Sequence, residues 1–373
     1  MRKTFILCLL AGAACLGCSH KQKLDERPVV DPGGTEHQGV PYTNPVIKAN
    51  CPDPSIFDDR ERTGYIYAYS TQNGANGSAT VVYLPVYRSK DMVAWELVGN
   101  AFGGMNRPTW GQDVTRVWAP DINYIGGQYV LYYALGHLEH SELGTSGVAV
   151  SDSPTGPFRD LGIIVSLENT GVSNSIDPNY FEDDDGSKYL FWGSYGAASG
   201  IWVVDLTDDG LAIRPGSEPV KVAGNNMEGT MVHKHGGYYY LFASMGNSFA
   251  GGESTYRVVI GRSTSVKGPY TGPNGWSMIN DTYSRQQADG SFTNTIMEGY
   301  DAYGAFVGTG HNSEILTDDN GEDWMCMHAR WSGDNYAARP MILERVYWNA
   351  EWPYFKTGRP TISGTGPYFK ASD

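Results

Sequence analysis

One pattern of polar and apolar positions recurs five times along the chain. It appears as "DPSIFDDRERTGYIYAYS" from Asp53, "APDINYIGGQYVLYYAL" from Ala119, "DPNYFEDDDGSKYLFWGS" from Asp177, "EGTMVHKHGGYYYLFAS" from Glu228 and "HNSEILTDDNGEDWMCMHA" from His311. Each copy begins at a polar residue, passes through three or four apolar or alternating positions, turns at a Gly, Asp or Asn cluster, and returns through a run rich in Tyr or Trp. Two runs of strand formers around such a cluster predict a β-hairpin. A second hairpin follows in four copies: "LPVYRSKDMVAWELV" from Leu84, "SGVAVSDSPTGPFRDL" from Ser146, "GIWVVDLTDDGLAI" from Gly200 and "RVVIGRSTSVKGPYTG" from Arg257. In the fifth, "RPMILERVYWNAEWPYF" from Arg339 takes that place. No stretch of the mature chain carries the 3.6-residue periodicity of an amphipathic helix.

Two hairpins make a four-stranded antiparallel unit, and five such units repeating every roughly fifty to eighty residues predict an all-β, five-bladed β-propeller. A pair of β-sandwich domains would also be all-β but would not repeat the same order of elements five times. In a propeller the innermost strand of each blade lines the axis. The five openings, Asp53, Asp121, Asp177, Glu228 and His311, are therefore expected to converge, gathering four carboxyl groups and an imidazole.

Composition narrows the partners. Of the 373 residues, 40% are hydrophobic and 13% aromatic, enough to fill a sizeable core. The 41 acidic against 27 basic side chains give a net charge of -14. No basic cluster is present to neutralise a phosphate backbone, which argues against nucleic acid as a partner. A neutral substrate fits.

The start, "MRKTFILCLLAGAACLGC", has the basic, apolar and small-residue layout of a secretory signal, and its apolar run is too short to span a bilayer. Its end resembles a bacterial lipoprotein cleavage box in which Cys18 is acylated. Residues 19–44 then read as a flexible tether, with the propeller from 45 to 373. The expected location is periplasmic or cell-surface, with membrane contact only through the lipid. Cys51 and Cys326 are too few for a disulfide framework, and a single bridge between them stays open.

A cluster of carboxyl groups suits glycoside hydrolysis, in which one acid protonates the leaving oxygen while a carboxylate activates water or attacks the sugar. A third, neighbouring carboxylate raises the pKa of the acid by like-charge repulsion. Trp118, Trp192, Tyr195 and Phe249 lie beside the openings and could face sugar rings, although Trp192 in "YLFW" reads first as a core strand residue. Taken alone, an Asp before Pro is a turn residue, and only the recurrence gives Asp53 and Asp177 another meaning. Asp58-Asp59, Asp183 to Asp185 and Asp318-Asp319 fall at hairpin turns and read as solvated. His233 and His235 flank a turn. His137 and His140 have ligand-like spacing but lack a helix or a nearby Cys or Asp partner, which argues against zinc.

The motif set resembles glycoside hydrolase family 43, and within it the endo-α-1,5-L-arabinanases, over nearly all of the chain beyond the tether. "NPVIKANCPDPSIF" is similar to the family's first blade, which implies that Asp53 is the general base. "VWAPDI" resembles a family element and implies a sugar-stacking Trp118 and a pocket acid at Asp121. "SIDPN" implies that Asp177 tunes and orients the acid, with Asn174 touching substrate; Ser194 is a further substrate-binding candidate. "MEGTMVHKHGGYYYLF" implies Glu228 as general acid. "ESTYRVVIGRSTSVKGPYTGPNG" and "GTGHNSEI" resemble arabinanase segments, and the second places His311 beside a central metal ion, calcium by analogy.

The resemblance implies inversion, a plant cell-wall arabinan substrate and a monomer. The loops "LGHLEHSELG" and "GGMNRPTWGQDVTR" depart from the arabinanase pattern, which leaves endo or exo action open. An exo-acting α-L-arabinofuranosidase or β-xylosidase, a retaining fructan hydrolase and a non-catalytic glycan-binding lipoprotein are the competing readings.

Overall fold

A computed structural model describes residues 38–73, 82–110, 116–136, 140–196, 199–301 and 303–370. The signal segment, Cys18, most of the tether and His137 lie outside them. The described strands form five antiparallel sheets in chain order, plus one two-stranded closure.

Blade one is Ser55–Asp59, Tyr65–Tyr69, Pro85–Ser89 and Glu96–Asn100, and blade two is Arg116–Ile125, Gln128–Gly136, Thr145–Ser151 and Arg159–Val165. Blade three is Asn179–Glu182, Lys188–Trp192, Trp202–Asp205 and Val220–Lys221. Blade four is Glu228–His235, Tyr238–Met245, Arg257–Ser263 and Thr295–Met297. In blade five the inner position is split between Phe306–Gly310 and Ile315–Thr317, both pairing with Asp323–Trp331, followed by Met341–Trp348 and Pro353–Tyr354. Helix among the described residues amounts to two four-residue turns, Arg60–Thr63 and Leu167–Thr170, and three short 3₁₀ turns.

The core is divided among the seams between blades, which explains the sequence pattern. Successive side chains of a strand point to opposite faces of its sheet. In Tyr65–Tyr69, Tyr67 and Tyr69 pack towards blade two, and Ile66 and Ala68 towards blade five. In Tyr238–Met245, Tyr239, Leu241 and Ala243 enter the seam with blade three, and Tyr240 and Phe242 the seam with blade five. Both faces are buried, so the second strand of each blade is apolar almost throughout and shows no alternation. Five clusters, one for each seam, close the ring.

The ends of the chain lock the ring. Pro41–Thr43 pairs with Ser363–Thr365. Ile47 and Met341 exchange backbone hydrogen bonds of 3.3 and 3.1 Å. Asn44 donates to Leu343 O and Thr361 O, each at 3.1 Å, and accepts from Leu343 N at 2.9 Å. Residues 41–44 thus belong to the propeller, and the tether ends earlier than the expected boundary at 44.

Two turn acids are also not solvated. Asp59 is buried against Arg62 and the Tyr129 hydroxyl, and Asp318 accepts from Trp324 Nε1 and from the backbone N–H of Asn320, Glu322 and Tyr368. Asp183 is paired with Lys234. Cys51 and Cys326 are free, buried thiols in the seam between blades five and one.

Candidate active site

Four of the five expected openings meet at one end of the axis. Three of the four leave the usual backbone region there: φ is +55° at Asp53, +57° at Asp177 and +47° at His311. Each such residue costs about 1–3 kcal/mol and persists only where the surroundings hold it. Here each left-handed residue precedes or interrupts an inner strand, and the side chains it carries come together in one cluster.

Asp53 is the most heavily bonded of the group. Its Oδ1 lies 3.2 Å from Arg339 Nη1, His311 Nδ1 and His328 Nδ1, and its Oδ2 accepts from Thr71 Oγ1 at 2.6 Å. Thr71 is fixed in turn by the Ala119 N–H at 2.7 Å. Burial alone would raise the Asp53 pKa, but the charges of Arg339 and His311, with the hydrogen bond from His311, hold the carboxyl well below the usual range, while His328 Nδ1 accepts from the Asp53 N–H at 3.2 Å. Asp53 is thus ionised.

Asp177 and Glu228 move the other way. Burial, reinforced by the charges of Glu228 and Asp53 and opposed by His311, pushes Asp177 up to about 7. Glu228 is also raised, by burial above all, against the hydrogen bonds of Tyr256 and Ser194. Its Oε1 accepts from the Tyr256 hydroxyl and its Oε2 from Ser194 Oγ, each at 2.8 Å. Asp177 Oδ2 accepts from Gly229 N at 3.0 Å, so the residue after Glu228 ties the two carboxyl groups together. Gly229 has φ +59°, and a Cβ there would stand 2.9 Å from the His311 ring.

His311 pays the cost of burial but is surrounded by Asp53, Asp177 and Glu228, which raise it to about 9. His328, fully buried and stacked on Tyr256 at 5.5 Å, falls to about 4 through burial. The site therefore holds one ionised carboxylate, an imidazolium, and a pair of carboxyl groups that retains a proton towards neutral pH.

Asp121 stands apart. Its carboxyl accepts from Asn179 Nδ2, Asn123 Nδ2 and the Tyr180 N–H, and it interacts with the half-buried Glu314, which accepts from Ser55 Oγ and Ile56 N. Its place is inside strand Arg116–Ile125 rather than ahead of it, because "WAPD" continues the strand through a bulge between Trp118 and Asp121.

Among the other candidates, Trp118 is half-buried, and its indole lies on Gly136, where a Cβ would come within 1.8 Å of the ring. Asn174, with φ +51°, donates to Tyr195 O at 3.0 Å. Trp192 is fully buried in the seam between blades two and three and presents no face to a ligand. Tyr195 is half-buried, its hydroxyl donating to Gly246 O at 2.8 Å, and Phe249 is exposed. His140 pairs with Glu142.

The sequence reading did not single out Thr71, Tyr256, His328 or Arg339. All four lie within or next to the repeated hairpins, and Arg339 opens the second hairpin of blade five. Thr71 and Tyr256 reach Asp53 and Glu228 within their own blades, whereas His328 and Arg339 reach Asp53 only where blade five closes against blade one.

Calcium prefers six to eight oxygen ligands. Among the described residues no group of three or more His, Cys, Asp or Glu side chains is arranged to hold a metal ion. Thr309 Oγ1 and Asn312 Oδ1, on either side of His311 in the chain, are buried without hydrogen-bond partners. The side chains around His311 do not make a calcium cage by themselves, and no step below runs through a cation.

A propeller whose axis ends in one ionised carboxylate and two carboxyl groups shifted towards protonation has the equipment of a glycoside hydrolase. Residues 42–353 match the family described as Glycosyl hydrolases family 43, and the chain belongs to that family. It is 33% identical over 299 residues, 72% of this chain and 79% of the relative, to an extracellular exo-α-(1→5)-L-arabinofuranosidase of Cellvibrio japonicus. It is 29% identical over 254 residues, 66% of this chain and 70% of the relative, to extracellular endo-α-(1→5)-L-arabinanase 1 of Bacillus subtilis. Among solved structures it resembles an α-L-arabinanase of Cellvibrio cellulosa complexed with arabinohexaose, with a TM-score of 0.68 at 27% identity over 83% of this chain and 96% of the other.

Proposed function

We propose that the protein hydrolyses α-1,5-L-arabinan with inversion of configuration. Asp53 acts as general base, Glu228 as general acid, and Asp177 keeps the acid protonated and in place. The observation that carries this reading is the opposite displacement of neighbouring carboxyl groups: the base is held ionised by Arg339 and His311, while the pair is lifted by burial and mutual repulsion. Of the lone pairs on Asp53 Oδ2, Thr71 uses one, leaving another to accept a proton from water. Water activated there attacks the anomeric carbon as Glu228 gives its proton to the departing oxygen. One proton is taken at Asp53 and one is given at Glu228, and solvent exchange restores both. Trp118, Asn174 and Ser194 are assigned to substrate binding, and calcium, implied beside His311 by the family resemblance alone, has no part in these steps.

The test follows the anomer first released from linear arabinan by proton NMR. Inverted product, lost with Asp53→Asn or Glu228→Gln, supports the assignment; retained configuration overturns it. Exo action on the same bonds is the second reading, favoured by the likeness to the Cellvibrio japonicus arabinofuranosidase. A ladder of oligosaccharides means endo cleavage, and one short product from the first minutes means exo.

Export is part of the proposal, supported by the signal-like start and by relatives named extracellular. Lipid labelling that Cys18→Ala abolishes would establish the anchor.

A further inference from the structure

We propose that Phe249 is a specificity-determining residue: an aromatic platform for a sugar of the polymer beyond the residue being attacked. This rests on the arabinan reading above. Phe249 is 74% exposed; only Tyr303, at 86%, is more exposed among the large hydrophobic side chains of the described residues. An exposed aromatic ring beside a cluster of carboxyl groups is placed to take the C–H face of a sugar.

Its connection to the chemistry is direct. The Arg339 guanidinium lies 5.4 Å from the Phe249 ring and also contacts Asp53 Oδ1 at 3.2 Å, so the platform is one side chain away from the base. The ring keeps most of its surface free while resting on that cation.

The loop that carries Phe249 is fixed at several points. The Phe249 N–H donates to Asn247 Oδ1 at 2.8 Å, Arg330 Nε to Ser248 O at 2.9 Å and Ser254 Oγ to Asn247 O at 2.6 Å. Behind it the Tyr336 ring packs on Gly252, and the Tyr336 hydroxyl donates to Gly304 O at 2.6 Å, tying this loop to the turn that bears Tyr303. A ring held out on a fixed loop loses little freedom when a ligand stacks on it.

The experiment compares wild type, Phe249→Ala and Phe249→Trp on arabinotriose, arabinohexaose and linear arabinan, with melting temperatures recorded to show that each variant is folded. In Phe249→Ala the KM for arabinohexaose and arabinan should rise about three- to tenfold. kcat and the triose parameters should stay near wild type, and Phe249→Trp should restore the long-chain KM. A loss equal at all chain lengths would mean that Phe249 only steadies Arg339, and no loss at any length would mean that the ring is idle; either result overturns the inference. If wild type does not cut arabinan at all, the functional reading falls first. If wild type cuts it and the variants match wild type, only this inference falls.

Discussion

Two groups of carboxyl side chains lie among the inner strands, and they are built in opposite ways. At the open end, Asp53, Asp177 and Glu228 have been driven apart in acidity, and Glu228 is held by two rotatable hydroxyls, of Ser194 and Tyr256. The other group pairs the buried Asp121 with the half-buried Glu314; both its pKa values are raised, and its carboxyl oxygens accept from donors of neighbouring blades. The hydroxyls on Glu228 can donate or accept as a proton comes and goes, whereas the backbone N–H and amide groups that hold Asp121 can only donate. The difference separates a site able to move a proton from a rivet that holds blades together.

The largest effects should come from removing the charge of the base or the proton of the acid. Asp53→Asn and Glu228→Gln are each expected to lower kcat on arabinan by about 10²–10⁴-fold while the fold survives, whereas Asp121→Asn should leave kcat within a few-fold of wild type. Initial rates beside melting curves test this, and a large kcat loss in Asp121→Asn would erase the distinction. Gly229→Ala should come next. Its Cβ would meet the His311 ring at 2.9 Å on a left-handed backbone, and the N–H that holds Asp177 would be displaced. A kcat loss of about tenfold or more is expected, since small misplacements at a preorganised site are costly.

The pH profile gives a finer test. The proposed mechanism requires Asp53 ionised and the Asp177–Glu228 pair still holding a proton. Rates should therefore rise through a base pKa well below the ordinary carboxylate range and fall as the pair loses its proton towards neutral or alkaline pH, with Asp177 at about 7. Asp177→Asn removes the like charge, so the alkaline limb should move to lower pH by about one unit. An unmoved limb would remove Asp177 from its tuning role. Glu314→Gln is the contrast and should leave both limbs where they are.

The fold was legible in the sequence because the five hairpin pairs repeat in order and the seams bury both faces of the second strand, so that even unbroken apolar runs such as "YVLYYAL" carried the signal. Asp53, Asp177, Glu228 and His311 were legible as a group because each opens its copy. Asp121 was misplaced by the same rule: a bulge puts it inside its strand, and hydrophobicity does not report a bulge. The turn acids Asp59 and Asp318 read as solvated because their partners, Tyr129 and Tyr368, are remote in sequence. Arg339 was invisible as a site residue for a related reason, since its role depends on blade five closing against blade one, and Thr71 because it reaches Asp53 only once the first hairpin has paired.

The smallest expected effect concerns the rivet, and its sign is specific. Asp121 and Glu314 have folded-state pKa values above their ordinary 3.8 and 4.5, chiefly through burial. Their contribution is therefore fully present below those ordinary values and is lost as pH rises through the folded-state ones. In Asp121→Asn the new carbonyl can still accept from Tyr180 N and Asn123, but the new amide faces the Asn179 Nδ2 donor and loses that bond, at a cost of about 1 kcal/mol. The amide needs no shared proton, however, and can donate to Glu314 at any pH. The variant should be less stable than wild type in acid, with the gap narrowing as pH rises because wild type then loses protons from two raised carboxyl groups and the variant from Glu314 alone. Glu344, which burial raises to about 8, titrates in both proteins and cancels in the comparison. Thermal melts of the two proteins across that range decide the matter: converging curves place the shared proton between Asp121 and Glu314, and parallel curves remove it.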